Sequence, residues 1–67
     1  MINLDRAASI AKDFLNRTCG LNIYELQEIG LKTDKWVVIY KPQYGAGLYT
    51  VEVGKESGEI LNFKKGS

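Results

Sequence analysis

Three short runs rich in β-branched and aromatic residues, 35–41, 48–53 and 59–64, are separated by two clusters of turn formers. The clusters are Pro42-Gln43-Tyr44-Gly45-Ala46-Gly47 and Gly54-Lys55-Glu56-Ser57-Gly58. Runs of this kind bounded by glycine-rich turns are the sequence form of an antiparallel meander. Gly58 suits a hairpin loop that ends in the left-handed conformation. Upstream, 23–32 also reads as a strand. Ile23, Ile29 and Leu31 share one alternation phase there, and Tyr24 and Leu26 the other. A change of phase inside a strand implies a bulge or bend, for which Gly30 marks one place. Thr33-Asp34 makes a tight connection into the next strand.

Before the strands, Leu4, Ala7, Ala8, Ala11, Phe14 and Leu15 fall on one stripe of a helical wheel, with Ile10 on its flank. Asp5, Arg6, Ser9, Lys12, Asp13 and Asn16 cover the other side. This periodicity predicts an amphipathic helix over about 4–19. Asn3 is its expected N-cap, Asp5 complements the dipole, and Gly20 is the expected stop. The fold class is therefore α+β: one N-terminal amphipathic helix packed on a four-stranded antiparallel β-meander, all within one domain, 1–67.

The chain has 67 residues, and a domain this small buries about 60% of its unfolded surface, so association with a partner or a second copy is expected. A net charge of +1 gives no dedicated footprint for nucleic acid or acidic membranes. Histidine is absent, which removes the commonest general base and zinc ligand, and Cys19 is the single cysteine. The N-terminus lacks the basic and apolar regions of a signal peptide, and no apolar run approaches a bilayer span. A cytoplasmic location without membrane insertion is the expectation.

The helix Ala7-Ala8-Ser9-Ile10-Ala11-Lys12-Asp13-Phe14-Leu15, the Trp36 strand, Tyr49-x-Val51-x-Val53 and Ser57-Gly58-Glu59-Ile60 together resemble the PepSY domain. That module occurs in propeptides of secreted peptidases and in bacterial membrane and spore-germination proteins. The resemblance runs from about Ala7 to Phe63. It departs from the family at Gly54, where an aspartate usually opens the turn. It implies a module without catalytic residues that binds or inhibits a protein partner, such as a peptidase; the small core adds a dimeric scaffold as a further expectation. A weaker likeness exists to a gas-vesicle accessory family with a similar Trp strand.

Groups able to do chemistry are few. Cys19 lies where the helix dipole disfavours a thiolate, with no histidine to activate it. Glu25, Glu28, Glu52, Glu56 and Glu59 show no spacing that pairs them. Gly45-Ala46-Gly47 lacks the strand–loop–helix context of a phosphate loop. Neither a catalytic residue nor a metal or cofactor site is assigned. Lysines 32, 35, 41, 64 and 65, with Tyr40, Tyr44 and Phe63 among them, keep a single-stranded nucleic-acid-binding sheet as the alternative.

The most suggestive strand is 35–41. Trp36, Val38 and Tyr40 point one way, Val37 and Ile39 the other, so both faces are apolar although one helix covers only one. Apolar side chains on the remaining face either meet a partner or are covered by loop 42–47. Trp36, Val38, Tyr40, Tyr44 and Tyr49 are the candidate protein interface.

Overall fold

Asn3 opens the helix as its side chain predicts, Oδ1 accepting from the Arg6 amide at 2.8 Å. In this computed structural model, which describes residues 1–20 and 23–66, α1 spans Leu4–Thr18. Asp5 in the first turn and Arg17 in the last both complement the dipole. The Cys19 amide donates to the Leu15 carbonyl at 2.7 Å, and Gly20, with φ 91°, turns the chain away. Gly20 is thus the left-handed stop that the sequence predicts. Among the described residues, no helix is long and apolar enough to cross a membrane.

Four antiparallel strands follow in the spatial order β1-β2-β3-β4: Tyr24–Lys32, Lys35–Pro42, Tyr49–Gly54 and Ile60–Lys65. The expected α+β arrangement is the one adopted, with strand ends displaced by about a residue. The expected change of phase in β1 is real, but it lies at Gln27 and not at Gly30. Leu26 pairs with Tyr40 and Glu28 with Ile39, leaving Gln27 as the extra residue of a bulge. That extra residue returns Tyr24, Leu26, Ile29 and Leu31 to one face. A second irregularity lies in β4, where Glu52 pairs with Asn62 and Val53 with Ile60, so that Leu61 is the extra residue. Both bulges sit in the edge strands.

Beneath α1 the core consists of Ala7, Ala11 and Leu15 against Tyr24, Trp36, Val38, Tyr40, Tyr49, Val51 and Val53. The alanines let the helix axis lie close to the sheet, and the large side chains come from the strands. Buried aromatics with polar handles need partners, and for three of them the backbone of α1 and of its two flanks supplies one. Trp36 Nε1 donates to the Ile2 carbonyl at 3.3 Å, Tyr40 to Ala8 at 2.9 Å and Tyr24 to Gly20 at 2.8 Å. The sheet thereby grips the segment before α1, its middle, and the turn after it. At one end of the core, Tyr40, Tyr24, Tyr49, Phe63 and Phe14 form a run of tilted or edge-on ring contacts, with centroids 5.4–6.4 Å apart. The run takes one ring from each strand and one from α1.

Candidate protein-binding faces of the sheet

The placement of α1 decides which face remains free, and it corrects part of the expected interface. Trp36, Val38, Tyr40 and Tyr49 all lie under the helix; Trp36 and Tyr49 are 9% exposed, Tyr40 4% and Val38 not at all. They are unavailable on the free face because they pack in the core beneath α1, where Tyr40 and Trp36 also donate to the Ala8 and Ile2 carbonyls. Tyr44 alone is open to solvent, at 75%, and it belongs to the β2–β3 loop. Gln43, Gly45 and Ala46 beside it are exposed as well.

The free face follows from the register. Val37 lies between Gly30 of β1 and Glu52 of β3, and Ile39 between Glu28 and Thr50. Both side chains are half-buried on an inner strand. Around them the same face carries Glu25 opposite Lys41, Lys32 opposite Lys35, and Thr50 opposite Lys64. The alternation in 35–41 puts Val37 and Ile39 on the face opposite Trp36, Val38 and Tyr40, and it is this opposite face, not the one expected as the interface, that the helix leaves open. A signal was present: Lys35 and Lys41 share their alternation phase, and a phase flanked by lysines is the wet one.

Lys35 Nζ donates to Glu52 Oε1 at 2.9 Å, forming a cross-strand ion pair beside Val37. That hydrogen bond holds the Glu52 carboxyl below the usual carboxylate range against some desolvation, with Lys64 and Lys32 adding attraction. The same bond raises Lys35. The face is an aliphatic centre in a ring of mixed charge, and its positive and negative groups largely offset one another.

No strand aromatic joins that ring. Tyr40 and Phe63, which a base-stacking platform would need on the free face, lie on the helix side, Phe63 edge-on to Phe14. At one end of the sheet Ile23, Glu25, Lys41, Pro42 and Gln43 line an open recess of about 440 Å³. The Gln43 amide closes this end by donating to the Ile23 carbonyl at 2.8 Å.

The two edges differ. β1 has nine residues, and its helix-side Leu26 and Leu31 are 42% and 47% exposed. β4 has six and carries Lys64 and Lys65, the latter with its ammonium 5.8 Å from the centre of the Tyr49 ring. Cys19 is an exposed free thiol at the helix C-cap. Among the described residues, no three His, Cys, Asp or Glu side chains converge as metal ligands would. Set against protein-family models, curated proteins and solved structures, the chain finds no match in any of the three comparisons.

Proposed function

We propose that this chain is a non-catalytic protein-binding module of PepSY-like type that docks a protein partner on the free face of its sheet. One observation carries the reading: Val37 and Ile39 occupy the centre of that face on an inner strand. An antiparallel sheet with one free face normally alternates apolar inside and polar outside, so aliphatic residues at the middle of the wet side call for contact. The surrounding Glu25, Glu28, Lys32, Lys35, Lys41, Glu52 and Lys64 form the polar rim that a specific interface has around its apolar centre. The partner that fits is a protein surface with a small aliphatic or aromatic knob and alternating charge. The PepSY resemblance supports a peptidase as the class of partner and inhibition as the outcome.

The second mechanism open to a small sheet is strand addition at an edge. Gln27 and Leu61 place a bulge in each edge strand, so an extended peptide without a bulge of its own at the matching position would slip out of register there. For a foreign partner the free face is therefore the better reading.

The test is affinity capture from the native organism with wild-type and Ile39→Lys bait, followed by titration of the purified captured protein. The reading expects a partner whose affinity falls at least about tenfold with Ile39→Lys and is unchanged by Leu61→Lys. If Ile39→Lys stays folded and binds every captured protein as the wild type does, the reading is wrong.

A further inference from the structure

We propose that the β1 edge pairs antiparallel with β1 of a second copy, about a two-fold axis at Ile29, so that two meanders join into one continuous sheet. The inference concerns a different surface from the free face, and the tests of the two are independent.

Three observations converge on β1. It is the longest strand and lies at a sheet edge, with one side unpaired within the chain. Because α1 packs chiefly on β2 and β3, the helix side of β1 is poorly covered. Leu26 and Leu31 are therefore about half exposed there, with Ile29 half-buried between them. Finally, the charges along β1 are self-complementary, with Glu25 at one end of the free face and Lys32 at the other.

The register follows from these positions. With Ile29 opposite Ile29 of the second copy, Glu28 falls opposite Gly30, so no like charges meet. One step further out, Leu31 faces Leu26, and Lys32 faces Glu25. The Gln27 bulge is essential to this match, because it returns Leu26 to the face that Ile29 and Leu31 occupy. Side chains directly opposite in antiparallel strands interact, and opposite charges there are favourable. The pairing thus gives an unbroken aliphatic strip on the helix side and two symmetric Glu–Lys contacts on the free side.

The other edge argues for closure. β4 is short and armed with Lys64 and Lys65, a pattern that blunts pairing. A two-fold joint at β1 uses the charge-balanced one of the two edges that the described residues form and turns both β4 edges outward, which ends the assembly at a dimer.

The experiment uses the full chain in sedimentation equilibrium from about 10 μM to about 1 mM, with amide exchange read residue by residue at both extremes. A dimer is expected, with concentration-dependent protection in β1 and none in β4. Glu25→Lys alone, or Lys32→Glu alone, replaces both Glu–Lys contacts by like-charge contacts and should raise the dimer Kd about tenfold. Mixing the two variants restores opposite charge at both contacts, so a heterodimer of wild-type affinity is expected. Leu31→Arg, at an already exposed position, should give a folded monomer even if a charge variant folds poorly. Ile39→Lys should leave self-association unchanged. A wild-type monomer at every concentration overturns the proposal. So does protection that grows in β4, or a charge-swapped mixture that fails to recover.

Discussion

The Tyr40 hydroxyl donates to the Ala8 carbonyl across 2.9 Å, from an inner strand to the middle of α1. This contact ties the orientation of the sheet to the helix, since it requires the phase of Trp36, Val38 and Tyr40 to face α1. Tyr40→Phe keeps the ring and removes only the donor. The loss expected is about 1 kcal/mol, the net worth of a neutral hydrogen bond. Urea unfolding followed by Trp36 fluorescence measures it, and an unchanged midpoint would mean the contact contributes nothing.

Burial raises the phenols of Tyr40 and Tyr24 above the ordinary value of 10.0, with the neighbouring Cys19 and Tyr49 adding smaller contributions at Tyr24. The unfolded chain then releases these protons at a lower pH than the folded chain does. Their contribution is fully present below about pH 10 and is lost as pH rises toward the raised values. The melting temperature should therefore fall with rising pH above that point. The fall should be shallower in Tyr40→Phe, which has one such group fewer.

Thr33 holds φ 41° in the β1–β2 turn, a left-handed conformation that β-branched residues rarely adopt. Lys55 holds the turn in place, its ammonium donating to the Thr33 carbonyl at 3.1 Å and its amide to Asp34 at 3.3 Å. Asparagine tolerates left-handed backbone better. Thr33→Asn should stabilise the fold by about 1 kcal/mol in the same unfolding assay, with no change in the denaturant slope.

Gly58 is demanded twice, by its φ of 75° and by Ile10, whose Cδ1 would lie 2.9 Å from an added Cβ. Its amide closes the β3–β4 turn on the Gly54 carbonyl at 2.9 Å. Gly58→Ala should cost about 2 kcal/mol, part conformational and part steric. Ile10→Val removes the offending methyl. The double variant should therefore be more stable than the sum of the two single losses, which a double-mutant cycle resolves.

Local chemistry made most of the fold legible. Asn3, Gly20 and Gly58 each announce a backbone event whose cause lies within a few residues, and each is found where expected. The bulge was half legible. Leu26 and Ile29 in opposite phases showed that a residue must be skipped, but glycine was a misleading guide because Gln27 can be skipped as readily. The free face was harder, since it depends on which of two apolar phases of β2 meets the helix, a long-range fact. The lysines at 35 and 41 pointed to the answer, while the lure of Trp36 and Tyr40 as interface residues pointed away from it. In a chain of 67 residues those rings are the largest core components available, and the alanine stripe of α1 leaves them room.

Val38 and Ile39 are consecutive, and the structure gives them opposite fates. Val38 is fully buried beneath α1, pairing with Ile29 and Val51. Ile39 is half-buried on the free face beside Glu28 and Thr50. Val38→Lys places an ammonium in the core without a partner, at a cost of about 4 kcal/mol or more, a large share of the stability of so small a domain. Ile39→Lys puts the same group among charged neighbours in water, where about 1 kcal/mol is the expected limit. Circular dichroism should show Val38→Lys largely unfolded and Ile39→Lys melting within a few degrees of the wild type. Equal effects from the two would mean that the free face is covered in the isolated chain, and the docking site would have to be sought elsewhere.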